Sequence, residues 1–111
     1  MKEHANQPSP DEPQTPEEKR QQSIDLLNGT HSFPCPVMIK VIGPIEDAFV
    51  DSVIDCVRTQ LTLAFDPPVH KREAKGGRHV SVTIEPSFDD AEQVLNLYDS
   101  IRKIDGVIML L

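Results

Sequence analysis

Two glycines between basic residues are the feature of this sequence that most resembles a site for chemistry. The stretch KGGRHVSVTIEP, residues 75–86, places Gly76 and Gly77 between Lys75 and Arg78. A phosphate loop binds its anion because glycine-rich amides lead into a helix N-terminus, whose dipole adds to the attraction. Here strand-like segments lie on both sides of the glycines. The pattern therefore predicts a two-residue hairpin turn, with an anion site as the weaker alternative.

Groups for nucleophilic catalysis are sparse. His31, His70 and His79 have no cysteine or serine nearby in an elbow or at a helix start,. A hairpin at the two glycines would also place His70 opposite Thr83, away from His79. Acidic pairs such as Asp89 with its neighbour are better explained as helix caps. We therefore predict no catalytic residue and no enzymatic activity.

The two cysteines, Cys35 and Cys56, are too few and too far apart for a CxxC metal knuckle,. No other residues supply four ligands at the spacing of a zinc site. The sequence accordingly predicts no metal, no disulfide and no cofactor.

Charge and hydropathy restrict the partners. The formal net charge is −7, and an acidic surface repels phosphate backbones, so nucleic acid is not an expected partner. No apolar run approaches the roughly 20 residues of a membrane span, and the start of the chain lacks the apolar region of a secretory signal. We predict a cytoplasmic protein without a membrane segment.

The composition changes near residue 22 of the 111 residues. Residues 1–22 contain four prolines and eight charges but only Met1 and Ala5 as apolar residues, which predicts a disordered acidic tail because too little surface can be buried. Residues 23–32 are interpreted as a linker or short helix. Residues 33–111 have the composition of one globular domain.

Four strands are predicted in this domain. They are PVMIKVIG (36–43), VHKREA (69–74), RHVSVTIE (78–85) and VIMLL (107–111). The first is almost continuously apolar, as a central strand is. The third alternates strictly, which predicts one covered face and one face open to solvent or to a partner.

Two amphipathic helices are predicted between the strands, in residues 45–65 and 90–104,. Asp66, Pro67 and Pro68 should end the first helix, and Asp89 and Asp90 should cap the second. The predicted buried stripes are Ile45, Phe49, Val53, Cys56, Val57, Gln60, Leu61 and Ala64 in the first helix and Ala91, Val94, Leu95, Tyr98 and Ile101 in the second.

The resulting order βαββαβ predicts an α+β, ferredoxin-like sandwich: a four-stranded antiparallel sheet with both helices on one face. The segments FPCPVMIKVIG, SVTI and EQVLNLYDSIRKIDGVIMLL also resemble the YbeD-like family of small bacterial proteins, over most of residues 26–111. The resemblance implies a fold similar to ACT regulatory domains, which sense small molecules such as amino acids at a dimer interface, and a role related to lipoate metabolism. It implies no catalytic residues.

The uncovered side of the predicted sheet is the first candidate site. If alternate residues of the first strand face the helices, six others share the opposite side: Met38, Lys40, Ile42, His79, Ser81 and Thr83,. The central strands carry no aromatic residue for stacking RNA bases. The mixture of apolar and polar groups favours self-association or a protein partner. An ordinary exposed surface is the alternative.

The loop from the first strand into the first helix is the second candidate. Its residues are Gly43, Pro44, Ile45, Glu46 and Asp47. Glycine would let a small molecule approach the backbone, and free amides of the helix start would bind a carboxylate. The simpler interpretation is that Gly43 and Pro44 only turn the chain and begin a helix.

Two functional hypotheses follow. The first is a non-enzymatic regulatory or adaptor module that acts through protein contacts. The second is an ACT-like dimer that senses a small molecule related to amino acids or lipoate.

Overall fold

The computed structural model describes residues 13–111 as three helices and six strands. The elements in chain order are α1 (Pro16–Thr30), β1 (Cys35–Pro36), β2 (Ile39–Pro44), α2 (Asp47–Gln60), β3 (Val69–Glu73), β4 (His79–Ile84), β5 (Ser87–Phe88), α3 (Ala91–Arg102) and β6 (Met109–Leu110). The predicted βαββαβ order is confirmed by β2, α2, β3, β4, α3 and β6. Helix α1 and the short β1–β5 pair are additions to it.

Four strands form one antiparallel sheet in the order β3-β4-β2-β6. Strands β2 and β4 are central, as their apolar content and regular alternation predict. Strand β1 pairs only with β5, in a separate two-stranded ladder. The central position of β2 and β4 gives both strands neighbours on each side, and it fixes which of their residues face the helices.

Helices α2 and α3 cover one face of the sheet. They pack on Ile39 and Val41 of β2 and on the alternate residues of β4, all of which are almost completely buried. Burying apolar side chains stabilises a domain by about 25 cal/mol per Å² removed from water. The buried core consists of Val37, Ile39, Val41, Phe49, Val50, Val53, Val57, Val80, Val82, Ile84, Phe88, Ala91, Val94, Leu97 and Ile101.

The buried stripes differ from the prediction in detail. Val50 and Leu97 are buried although they were not predicted, whereas Ile45, Gln60 and Ala64 are exposed. Ile45 and Ala64 are exposed because α2 spans only Asp47–Gln60, so both residues lie in loops outside the helix. Of the two predicted caps of α3, Asp90 is the N-cap, and its side chain accepts a hydrogen bond of 2.8 Å from the Gln93 amide.

The two glycines lie in the hairpin between β3 and β4, not at a helix start. Gly76 and Gly77 both have positive φ, 94° and 68°, and His70 is opposite Thr83 as predicted. The turn is wider than the predicted two residues. The Gly77 amide donates to the Ala74 carbonyl at 3.0 Å, and the Ala74 amide donates to the His79 carbonyl at 2.9 Å. Four residues, 75–78, therefore connect Ala74 and His79, which are hydrogen-bonded to each other.

Helix α1 is the largest difference from the predicted organisation. Residues 1–12 of the predicted tail lie outside the described residues. Residues 16–22, also predicted as tail, instead form the first turns of α1, and residues 23–32, predicted as a linker or short helix, continue that helix to Thr30. Thr15 and Glu18 explain the start, because each side chain accepts a hydrogen bond from the other's amide, at 3.1 and 2.8 Å,.

Candidate functional site

The uncovered face of the sheet, called the open face below, consists of the alternate residues that point away from α2 and α3. In the β2–β4 ladder Lys40 is opposite Thr83, Ile42 is opposite Ser81 and Pro44 is opposite His79. Directly opposite residues of an antiparallel pair share a face. Five of the six residues predicted for this site therefore lie side by side.

The sixth predicted residue, Met38, lies between the buried residues Val37 and Ile39, and its side chain is 58% exposed. Alternation places it on the open face next to Lys40. The structure thus brings all six predicted residues together, and their role in an interaction stays a prediction.

Sequence reasoning missed the contribution of β6. Ile42 is opposite Met109, and Leu111 exchanges both backbone hydrogen bonds with Lys40, at 2.8 and 3.0 Å. Met109 and Leu111 consequently extend the open face beyond β2, and they are 49% and 59% exposed. The strand VIMLL was predicted, but all five of its residues are apolar, so the side on which each residue falls depends on its register with β2.

The open face has two chemically different halves. On β4 and β3 it is polar, with His79, Ser81 and Thr83 half-buried and Arg72 exposed opposite Ser81. On β2 and β6 it is mainly apolar. We call Met38, Ile42, Met109 and Leu111 the apolar patch.

The second candidate, the loop from Gly43 to Asp47, has a structural explanation for its glycine. A Cβ atom at Gly43 would overlap the ring of Phe49, and Phe49 is itself buried in the core. The space that a side chain at Gly43 would need is therefore occupied by the Phe49 ring, which leaves no room there for a ligand. Gly106 packs closely against the same loop, since a Cβ atom there would lie 2.9 Å from the Pro44 Cδ.

Three other residues of this loop line a surface groove of about 280 Å³ between the start of α2 and strand β3. They are Ile45, Glu46 and Asp47, and the opposite wall includes Lys71 and Glu73. Glu46 precedes α2 without making a side-chain cap hydrogen bond. The groove has apolar walls, one ammonium group and several carboxylates.

The titration of two partly buried groups is shifted by their surroundings. Burial raises the pKa of the Cys56 thiol, and the neighbouring Asp55 carboxylate raises it further. A thiol with a raised pKa is a poor nucleophile at neutral pH, since the thiolate is the reactive form. Burial also raises the pKa of Tyr98, while Arg102, whose guanidinium lies 5.8 Å from the ring centroid, partly opposes that shift.

The described residues give no indication of a catalytic or metal centre. Within residues 13–111, no group of three His, Cys, Asp or Glu side chains is arranged to hold a metal ion. His70 and His79 lie on neighbouring strands, but His79 is opposite Pro44 on β2, and His70 is opposite Thr83. In the same part of the chain, no helix has the length and apolar character needed to cross a membrane.

The sheet order β3-β4-β2-β6, with two helices on one face, defines an α+β protein of the ferredoxin-like class. Comparison with known proteins agrees with this class and narrows it. The family model described as "Protein of unknown function (DUF493)" matches residues 29–111. The chain belongs to this family.

Individual relatives support the same assignment. The chain is 39% identical over 85 residues to the UPF0250 protein SG0794 of Sodalis glossinidius, covering 77% of this chain and 95% of the relative. It is 38% identical over 86 residues to the UPF0250 protein YbeD of Escherichia coli, with the same two coverages. The resemblance to YbeD-like proteins inferred from the sequence is confirmed.

Solved structures provide a comparison of folds. The solution structure of protein HP0495 from H. pylori matches with a TM-score of 0.59 at 15% identity, covering 73% of this chain and 85% of that one. The ACT domain from GTP pyrophosphokinase of Chlorobium tepidum matches with a TM-score of 0.49 at 12% identity, covering 69% of this chain and 97% of the domain. The first match supports the fold assignment.

Proposed function

We propose that the protein is a regulatory or adaptor module that acts through protein contacts on its open face, without a catalytic step of its own. The apolar patch is the observation that carries this proposal. Ile42 is opposite Met109 and Lys40 is opposite Leu111 on two paired strands, and Met38 lies just before β2. Met38, Met109 and Leu111 are about half exposed or more. Contiguous exposed apolar surface with a polar surround is typical of interaction sites, whereas scattered apolar residues are ordinary surface.

The polar half of the open face is suited to the rim of such an interface. Side chains such as Ser81, Thr83 and Arg72 can form hydrogen bonds to a partner while water still reaches them,. The apolar patch would provide the desolvated centre. A protein interface on the open face would therefore use both its polar half and its apolar half.

Site-specific photo-cross-linking in the bacterial cells that make the protein tests this proposal. A benzophenone amino acid in place of Met38 samples the apolar patch. The matched control carries it in place of Phe65, which is 84% exposed and lies in the loop between α2 and β3. We expect protein adducts from position 38 in clear excess over position 65. Equal or absent adduct formation would contradict the proposal.

A second candidate function is supported by the groove beside the first turn of α2. Lys71 could receive a carboxylate, while Glu46 and Asp47 could receive an ammonium group. That combination suits a zwitterion of amino-acid size. This candidate is a small-molecule sensor of the ACT-like kind, acting as a dimer.

A thermal-shift screen with amino acids and lipoate-related compounds tests the sensor hypothesis. A ligand at roughly one hundred times its Kd stabilises the folded chain by about 2.7 kcal/mol, which raises the Tm by several degrees. Replacing Lys71 with methionine should abolish a shift caused by binding in the groove. The absence of any shift across both classes of compound would exclude these ligands.

A further inference from the structure

The two edge strands of the four-stranded sheet differ in how strongly their side chains discourage pairing with another strand. Strand β3 forms one edge, and its residues His70, Lys71, Arg72 and Glu73 are all exposed. Charged side chains on an edge strand discourage pairing with another sheet. Strand β6 forms the other edge, and residues 107–111 contain no charged side chain. In a chain with a net charge of −7, this uncharged edge is the one that tolerates the approach of another strand.

The backbone of β6 has hydrogen-bonding groups directed away from the sheet. Leu111 donates to and accepts from Lys40, so both of its backbone groups point towards β2. The preceding residue of an antiparallel strand directs its N–H and C=O to the opposite side. Leu110, which is opposite Val41, therefore presents a donor and an acceptor outwards, where β6 has no neighbouring strand within residues 13–111.

We infer that a second copy of the chain pairs antiparallel with β6 about a twofold axis at Leu110, which joins two sheets into one of eight strands. This inference rests on the proposed function and names its partner. One residue that offers both a donor and an acceptor is self-complementary across a twofold axis, since each copy satisfies the other. Two backbone hydrogen bonds form between the two Leu110 residues.

The same symmetry brings exposed apolar side chains of the two copies together. With Leu110 on the axis, Met109 of one copy is opposite Leu111 of the partner subunit, and both lie on the open face. The apolar patches of the two copies then meet as one continuous surface across the axis. Ile108, which is 59% exposed and whose amide donates to the Ile42 carbonyl at 2.8 Å, adjoins this contact.

Light scattering coupled to size exclusion measures the predicted dimer directly. The full chain should elute with twice the 12.4 kDa mass of one chain and dissociate on dilution. Replacing Met109 and Leu111 together with aspartate should shift the mass to that of one chain at the same concentration. Thr83→Asp, on the polar half of the open face, should leave the dimer intact. A wild-type monomer, or a dimer that survives the double substitution, would overturn the inference.

A proline substitution separates the backbone contact from side-chain packing. Leu110→Pro removes an N–H that points away from β2, so the sheet of one chain keeps its hydrogen bonds. Leu110→Ala also loses the packing of the leucine but keeps that N–H. We expect proline to raise the dimer Kd roughly tenfold above that of the alanine variant, because two intersubunit bonds are lost. Equal Kd values in two variants with native circular dichroism would contradict pairing through β6.

The cross-linking experiment distinguishes failure of this inference from failure of the proposed function. Adducts from position 38 with twice the chain mass support a second copy. Adducts of another mass with a monomeric purified chain would overturn the dimer but leave a contact function on the open face. No adduct above the Phe65 control, together with a monomeric purified chain, would remove both.

Discussion

Gly43 is the residue whose identity is most directly explained by a packed neighbour. A side chain there would overlap the ring of Phe49, which is only 4% exposed and cannot move into solvent. We predict that Gly43→Ala lowers the free energy of unfolding by about 1–3 kcal/mol, the usual cost of overpacking a core. Urea denaturation monitored by circular dichroism measures this loss.

The cause of the Gly43 effect can be isolated with two further variants. Gly29→Ala adds the same methyl group in α1 where no atom lies within 4 Å, and it should be neutral or slightly stabilising. Combining Gly43→Ala with Phe49→Leu should cost less than the sum of the single changes, since the smaller side chain leaves room. Strict additivity would show that the ring is not responsible.

At this scale the sequence predicts faces better than contacts. Met38, Lys40 and Ile42 were assigned to the open face because alternation along one strand needs no tertiary information. Met109 and Leu111 were missed because their face depends on pairing with β2. A ligand role was proposed for Gly43 because a glycine can make room for either a ligand or a neighbouring side chain. The sequence does not distinguish these cases, and only the structure shows that the Phe49 ring packs against this glycine.

Helix α2 ends in a backbone conformation that its sequence does not favour. Thr62 has φ of 52°, and the Leu63 amide donates to the Arg58 carbonyl at 2.9 Å, which is the hydrogen bond of a glycine-type helix end. The left-handed conformation costs a β-branched residue about 1–2 kcal/mol. We predict that Thr62→Gly stabilises the protein by about 0.5–1 kcal/mol after the greater chain entropy of glycine is subtracted. Thermal unfolding measures the gain.

Thr59 provides the matched control for this helix end. It lies within α2, where Thr59→Gly removes the same side chain without relieving a positive φ. That change should destabilise the protein by a few tenths of a kcal/mol or more, because glycine is a poor helix former. If both substitutions had the same sign, strain at Thr62 would not explain the result.

The elements themselves were predicted unevenly from the sequence. The core strands and α3 followed from hydrophobic periodicity and from the cap at Asp90. The first turns of helix α1 were missed because their surroundings are rich in proline and charge, although Thr15 and Glu18 form a capping box that the sequence displays. Composition averages over a whole segment, whereas a capping box marks one position within it. At the start of α1 the capping box was the better indicator of the structure.

The whole molecule joins a conventional sheet-and-helix core to an N-terminal helix with little core contact. No residue of α1 is buried, and Leu27 is the α1 residue that packs against the core. The Arg20 guanidinium also holds α1 to α3 through Asn96 at 2.7 Å and Asp99 at 3.3 Å. Order and periodicity were enough to predict the core topology, but the position of α1 depends on these few long-range contacts.

This arrangement predicts that residues 33–111 fold without α1. Among residues 13–111, all fully buried apolar residues lie between Val37 and Ile101, so the fragment retains them and should unfold in one cooperative transition. Losing the partial burial of Leu27 should cost about 1 kcal/mol, which lowers the Tm by about 4–8 °C. Leu27→Ala in the full chain should reproduce most of that decrease. A fragment with native helix content but no cooperative transition would place α1 within the folding unit and move the domain boundary before Pro16.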